Sequence, residues 1–460
     1  MLKFRKFNEK SIKLVQKYTS KSNFLVCDLS GGVLFMWNDH YNVSYAVYNE
    51  TLILRSDFSS GESAFFLPIG KDFSGALSKI EEHCVQKELP LNFMCVEEEY
   101  LPLLSNRYAI KRDTFHRNWS DYLYNYEDIV NFAGKKYSGQ RNHINAFKKN
   151  YSYNFKPLTN KDIPKIKDFL KEYKKEHKGG GKIERREFNN TLKLLDNYSK
   201  GEFMGAYIEI DGKVRSFTVG EYTGKNLIIH IEKGLRQYRG IYPTTFQEFS
   251  RLCKKEGVIY INREDDSGDL GLRTSKLQYH PAIILNKHYL EIEKPMKIKR
   301  YPTLKGKKVT LDKITEEDKV LYYKLCYAKA LNKFWGYDYK KDIPNPTEDA
   351  FFNAQRIDFK NKNCLSLAIR NKAREFMGEV VLHHFDYEGK VELGVRLLKK
   401  YHGKGYATEA ISLAIKYAEK LGLAPIAKCY KQNEKSLNCL KRAGLEVTGE
   451  DNKFYYLKKF

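Results

Sequence analysis

The chain has 460 residues with 42% hydrophobic and 14% aromatic content, enough for several buried cores, which excludes a disordered polymer. At roughly 150 residues per domain, this length predicts about three folded units. The formal charge of +24 favours anionic partners such as nucleic acid, anionic lipid or a phosphorylated cofactor, although lysine abounds along the whole chain and much of this charge can be solvated surface.

Met1 to Lys10 is charged and lacks an apolar signal core, and no stretch approaches the ~18 apolar residues of a membrane span. The cysteines, at 27, 84, 95, 253, 326, 364, 429 and 439, include no CxxC pair. That spacing predicts neither a metal site nor a disulfide framework, but reduced thiols in a cytoplasm.

Short alternating strands are predicted at Gly32–Trp37, Ser44–Tyr48 and Thr51–Leu54, then a helix over Ser74–Lys87 and a strand over Leu91–Val96. From Asn160 the pattern restarts. A helix over Lys161–Lys178 precedes a Gly179-Gly180-Gly181 loop, and a second helix lies near Arg186–Lys200. Strands follow at Gly205–Ile210, Val214–Glu221 and Asn226–Glu232, then a helix over Tyr242–Glu256 and a strand over Gly257–Ile261. Recurrence of this element order suggests a structural repeat without a sequence repeat. The lysines from Lys161 to Lys182 suit either a nucleic-acid backbone or a solvated helix face.

Several polar segments punctuate this region. Gly134 to Asn145 carries Arg141 and Asn142 within a dense set of cations and amides. His230 and Glu232 share one strand face by the two-residue period, and Asn262, Arg263 and Asp266 follow a strand end, with Arg273 and Lys276 beyond. These residues suit either a polar active site or a buried ion-pair network joining two subdomains. The Arg-Asn-His and Asn-Arg-Glu-x-Asp segments resemble the C-terminal domain of lysylphosphatidylglycerol synthases over about Leu2 to Tyr289. The resemblance implies two tandem acyltransferase folds, about 1–115 and 116–295. It also implies transfer of an aminoacyl group from a charged transfer RNA to an amine or hydroxyl acceptor. These 460 residues hold no counterpart of the membrane-spanning half of the lipid enzymes, so a lipid substrate is not the expectation.

Ala282–Leu290 reads as a final strand, and the Pro- and Lys-rich stretch Glu291–Lys308 as a domain boundary, dividing 1–295 from 296–460. Beyond it, Val309–Leu311 reads as a strand and Thr315 as an N-cap. The informative segment is Val391 to Ala410, an alternating strand, then Gly403 and Gly405, then a helix with Ala407, Ala410, Ile411, Ala414, Ile415 and Ala418 at helical spacing. Glycines let a backbone close on a ligand, and free N–H groups at a helix start suit a pyrophosphate. An ordinary strand-to-helix turn would look similar. Glu392 on the preceding strand, and Asn433 to Ser436 opening a further helix before Gly444, complete the pattern.

This combination resembles the GNAT family of N-acetyltransferases, in its branch related to ribosomal-protein N-terminal acetyltransferases, over nearly all of Leu304 to Phe460. Lys400 replaces the usual Gln or Arg of the pyrophosphate motif. The resemblance implies acetyl-coenzyme A as cofactor. Backbone amides of His402, Gly403, Lys404, Gly405, Tyr406 and Ala407 would hold its pyrophosphate, with Val395 and Leu397 pairing the pantetheine and Asn433 and Ser436 near the thioester. Leu440 stands where many members have a thiolate-protonating tyrosine, leaving Ser436 or no dedicated acid.

An amine must be neutral to attack a thioester. An α-amine near pKa 7.8 loses its proton at pH 7 for about 1 kcal/mol, and a lysine near 10.4 for about 4–5 kcal/mol. The resembled family often places an acid on this strand, which makes Glu392, through a water, the preferred base, its alternative being a solvated strand carboxylate. Of His383 and His384, strand alternation allows only one to face the cleft, and a structural or surface histidine is the more ordinary account of each. The resemblance implies that the loop holding Phe334, Trp335 and Tyr337 walls the acceptor cleft, although aromatics there suit packing as well as recognition. The expected architecture is α/β with three acyltransferase-like folds, and the expected activity is acetyl transfer to a small amine or a protein N-terminus. The alternatives are aminoacyl transfer by the N-terminal domain, or a non-catalytic module sensing coenzyme A or RNA.

Overall fold

The structure, a computed structural model, describes residues 2–176, 181–335, 343 and 345–459. Lys178, Gly179, Gly180, Gly336 and Tyr337 lie outside the described residues. The chain divides into two units, Met1–Ile80 with Pro90–Glu293, and Glu81–Leu89 with Lys294–Phe460. Among the described residues, no helix is long and apolar enough to cross a membrane.

The first unit holds two mixed sheets. The first comprises β1 (Arg5–Lys6), β2 (Val43–Tyr48), β3 (Thr51–Asp57), β4 (Ser63–Phe65), β5 (Ile69–Gly70), β6 (Asn92–Glu97) and β7 (Ile110–Phe115). The second comprises β8 (Asp121–Asn125), β9 (Asn154–Pro157), β10 (Met204–Ile210), β11 (Lys213–Thr223), β12 (Asn226–Gly234), β13 (Tyr260–Asn262) and β14 (Ile283–Leu285). The chain then returns as β15 (Lys287–Ile292) to lie between β6 and β7 of the first sheet. The single strand expected over Ala282–Leu290 is therefore two strands in different sheets. Asn286 separates them, its side chain held by Ser120 and Glu98.

Aromatic side chains fill the second sheet's core, with Tyr122, Tyr124, Phe132, Phe246 and Phe249 all buried. The helix Ile241–Leu252 precedes β13, which runs parallel to β12. Gly31–Met36 is a helix, not the strand expected over Gly32–Trp37. Ser30 caps it by accepting a hydrogen bond from the Val33 amide, and every residue is buried, so no amphipathic period marks it. The helix expected near Arg186–Lys200 spans Lys182–Asp196, with a separate turn at Tyr198–Lys200.

The second unit is one sheet of β16 (Leu304–Lys305), β17 (Thr310–Lys313), β18 (Leu365–Arg370), β19 (Phe376–His383), β20 (Lys390–Leu397), β21 (Ala424–Tyr430), β22 (Glu446–Glu450) and β23 (Phe454–Lys458). Its order is β16-β17-β18-β19-β20-β21-β23-β22. The helix Tyr406–Lys420 buries Ala410, Ile411, Ala414, Ile415 and Ala418 against Val391, Leu393 and Leu397 of β20. This is the face its apolar spacing predicts. Thr315 caps the next turn in a reciprocal box with Asp318.

Candidate functional site

The second unit's cleft opens where two strands part. β20 and β21 are parallel, and only Lys390, Val391 and Glu392 pair with Ala424, Pro425 and Ile426. β20 continues to Leu397 and β21 to Tyr430, so their upper halves diverge. The Leu398 amide donates to Met377 on the β19 side. Alternation then turns the backbone of Val395 and Leu397 towards the opening.

Above that opening, Gly403 and Gly405 take φ of +79° and +81°, which residues with a Cβ rarely adopt. Nothing lies within 4 Å of a Cβ added at Gly403. Gly405 caps the helix without a side-chain bond. Among the described residues, the amides of Gly403 to Thr408 donate to no protein acceptor, and the ladder begins with Glu409 to Gly405. His402 departs from expectation. Its amide donates to Lys399 O at 3.2 Å, and its ring Nε2–H donates to Leu397 O at 2.9 Å, so it closes the strand end.

Sequence reasoning missed Lys308, about a hundred residues upstream. Its amide donates to the Glu409 carboxylate at 2.9 Å, and its Nζ lies 3.5 Å from Lys404 O and 3.4 Å from a Cβ added at Gly405. An ammonium thus stands at the mouth of the amide loop.

Glu392, Gly394 and Arg396 occupy the face of β20 opposite the helix. Glu392 is not a solvated carboxylate; its side chain is 20% exposed and accepts a hydrogen bond from His384 Nδ1 at 2.9 Å. Burial pushes its carboxyl up, but the His384 bond and the charges of His383, His384 and Lys428 outweigh this and hold it below the ordinary value. Both histidines approach Glu392, which overturns the expectation that only one faces the cleft. His383 pairs directly across from Glu392, and His384, just past the strand, takes φ +49°. That break in alternation brings the two rings to 4.4 Å between centroids. Burial lowers His383 to about 4. Trp335 covers Gly394, a Cβ there meeting its ring at 3.2 Å, and Arg396 lies under the same ring while its Nε donates to the buried Glu379 at 2.5 Å.

Asn433 caps the helix Glu434–Arg442, accepting from the Ser436 amide. The Cys429 thiol beside Ser436 is raised by burial, and Leu440 is a buried core residue, so no side chain at that position can donate a proton.

In the first unit, the residues expected at a polar site are brought together except Arg141 and Asn142. Arg141 lies on the helix Ser138–Asn150 and donates to the carbonyls of Phe132 and Gly134, forming no ion pair among the described residues, and Asn142 is exposed. His230 bridges Glu221 at 2.9 Å and Glu264 at 2.8 Å, and Glu221 also accepts from Gln16 and the Gly32 amide. Burial opposes a charge on His230, but the two carboxylates outweigh it and raise its pKa to about 9. Arg263 pairs with Glu232 at 2.9 Å, leaving the second Glu232 oxygen buried without a hydrogen-bond partner, and burial raises this carboxyl. Lys276, lowered by burial, donates to the carbonyls of Arg263, Glu264 and Asp265. Asp266 takes two hydrogen bonds from Arg273 and one from Tyr122; burial raises its carboxyl, but these bonds bring it down to about 2. Asn262 donates to Leu25 O and Asp121.

Gly240 begins the helix of the second sheet with φ +91°, as Gly405 does in the second unit. Its turn is filled, since a Cβ there would lie 2.3 Å from the His143 carbonyl. The turn at Gly240 is thus packed against a neighbouring backbone, whereas nothing lies within 4 Å of a Cβ at Gly403.

Residues 21–290 match the family described as phosphatidylglycerol lysyltransferase, C-terminal, and residues 308–446 match the acetyltransferase (GNAT) domain. A conserved protein of unknown function from Bacteroides thetaiotaomicron is 28% identical, over 64% of this chain and 100% of that chain, with a TM-score of 0.57. A GNAT-family acetyltransferase from Bacillus anthracis is 22% identical, over 34% of this chain and 97% of that chain, with a TM-score of 0.29. An uncharacterized protein of Mycoplasmoides gallisepticum is 23% identical over 184 residues, 39% of this chain and 58% of that protein, so this chain spans less than two thirds of that relative's length.

Proposed function

This chain belongs to the phosphatidylglycerol lysyltransferase C-terminal family and carries a GNAT acetyltransferase domain, and from that premise we propose that residues 296–460 transfer the acetyl group of acetyl-coenzyme A to an amine. One observation carries this reading, the run of unpartnered amides from Gly403 to Thr408 beside the Lys308 ammonium, at the mouth of the β20–β21 opening. The helix dipole adds only about 0.3–1 kcal/mol for an anion. Several converging N–H bonds and one ammonium are what grip a pyrophosphate there.

Coenzyme A supplies a thioester whose sulfur departs as thiolate. The chain's own groups do the rest. The backbone of Val395 aligns an extended pantetheine arm. The Leu397 carbonyl is already held by His402, leaving its amide for that role. Nitrogen attacks the acetyl carbon, the carbon–sulfur bond breaks, and the amine proton must leave. Glu392 is occupied by the His384 Nδ1 hydrogen bond, and an imidazole oriented by a carboxylate is a suitable proton acceptor. We therefore assign Glu392 the fixing of the His384 tautomer through Nδ1, and the proton to His384 Nε2. No acid for the thiolate is required, because a thiol near pKa 8.5 is a tolerable leaving group.

Titration calorimetry of the full chain with acetyl-coenzyme A should show binding at one site. Glu392→Gln should keep that affinity and lower kcat by about 10²-fold or more. An absence of binding heat, or full turnover in Glu392→Gln, would sink the reading.

The internal geometry supports the finer reading of three acyltransferase-like folds. A parallel strand pair follows a crossover at β4–β6, β12–β13 and β20–β21 alike. A second activity, aminoacyl transfer by the first unit from transfer RNA, draws support from the buried, unpartnered Glu232 oxygen, which suits an ammonium. Affinity for charged transfer RNA that falls steeply with salt would bear on it.

A further inference from the structure

Among the described residues, two side-chain groups bring three metal-ligand atoms within 4.8 Å of one another: Cys27, Asp28 and Asp121, and His383, His384 and Glu392. The first already holds a cation, since Lys287 Nζ lies 2.7 Å from Asp28 and 2.8 Å from Asp121 in the core. In the second, no lysine or arginine is ion-paired with Glu392 among the described residues, and its recorded ion-pair partner is His384.

We propose that His383, His384 and Glu392 bind a divalent transition-metal ion of the zinc type, and that the bound ion withdraws His384 and Glu392 from proton transfer. Two imidazoles and one carboxylate form a donor set that suits zinc, with a fourth position open to water. The backbone supports the grouping. His384 takes φ +49°, an unfavourable conformation for a residue with a Cβ, and this left-handed step puts two consecutive rings on one side of the sheet. The site is open to an ion, with His384 37% and Glu392 20% exposed. Donors on one tetrahedral ion at about 2.0–2.2 Å stand roughly 3.3 Å apart. The three donor atoms lie within 4.8 Å of one another, so they must draw together for one ion to take all three. The ion would replace the His384–Glu392 hydrogen bond with two coordinate bonds. The binding claim stands alone, whereas the loss of proton transfer rests on the acetyltransferase reading.

The experiment uses the full chain after chelator treatment, titrated with zinc and with cobalt(II). One equivalent should bind with a dissociation constant on the order of micromolar or below, and cobalt should give the intense visible bands of a four-coordinate site. His383→Ala and His384→Ala should each weaken binding by about tenfold or more. Should either variant fold poorly, zinc-edge absorption on the unaltered chain should report nitrogen and oxygen ligands at about 2.0–2.2 Å. No binding by the unaltered chain, unchanged affinity in folded variants, or a sulfur ligand shell would each overturn the site. Turnover enters separately. Zinc that binds with these signatures but leaves acetyl transfer unaffected removes the inhibitory clause alone, and a chain that binds zinc but never transfers acetyl groups fails the enzymatic reading alone.

Discussion

Lys287 Nζ lies 2.7 Å from Asp28 Oδ2, although 259 residues separate the two in the chain. Asp121 shares the same ammonium at 2.8 Å, and the Cys27 amide donates to the other Asp121 oxygen at 2.7 Å. Burial opposes the charge on Lys287, but Asp121 and Asp28 outweigh it and raise its pKa far above the ordinary lysine value. The contact ties β15 to the segment after Phe24 and to β8, across both sheets of the first unit.

Removing that ammonium leaves two buried carboxylates uncompensated. Lys287→Met should therefore destabilise the first unit by about 3–5 kcal/mol, read as a shift in its urea transition. A loss below about 1 kcal/mol would show that the cluster is hydrated and not a structural tie.

His230 gives the first unit a pH dependence with a definite sign. Its pKa is about 9 when folded, against roughly 6.5 in an unfolded chain. Its contribution is fully present below the unfolded value and is lost as pH rises through about 9, worth about 3 kcal/mol. Glu264, raised by burial, adds in the same direction at lower pH. Thermal unfolding followed from pH 6 to 10 should fall over this window, and His230→Gln should flatten the fall. An equal slope in the variant would place the titrating group elsewhere.

Gly32 is required by that same histidine. A Cβ there would sit 2.5 Å from His230 Nε2 and 2.9 Å from Glu221 Oε1, with no room to give in a buried network. Gly32→Ala should cost about 1–3 kcal/mol. Gly139→Ala is the control, because nothing lies within 4 Å of its Cβ on the helix Ser138–Asn150, and it should be neutral or stabilising by up to about 1 kcal/mol.

Lys308 should matter to the cofactor and hardly to the fold. Lys308→Ala removes one ammonium from the amide loop and should weaken acetyl-coenzyme A binding by about five- to tenfold at low salt, less at high salt. Gly405→Val, at φ +81°, should weaken it further through backbone strain and by blocking the loop. Calorimetry on both variants checks this, and unchanged affinity in Gly405→Val would remove the loop from the binding site.

The amide loop was readable because its signals are local. Gly403, Gly405 and the spacing from Ala407 to Ala418 fall within one strand-to-helix passage, and backbone sterics and helical periodicity act over that range. Lys308 was not readable, since its place depends on Glu409 holding its amide from another part of the chain. The Gly31–Met36 helix was misread because total burial erases the polar face that separates helix from strand in a sequence. His383 and His384 were misread because strand alternation fails where one residue adopts a left-handed conformation, and no residue type announces that at a histidine.

By itself, the sequence determined the α/β character, the glycine turn and the face that the helix Tyr406–Lys420 buries, all consequences of short-range sterics and hydrophobic period. Only the tertiary structure decided which charges meet: Lys287 with Asp28, His230 with Glu221 and Glu264, and both His383 and His384 with Glu392. Such pairings are set by where strands from distant segments come into register, and electrostatic strength depends on a burial that no single stretch of chain encodes.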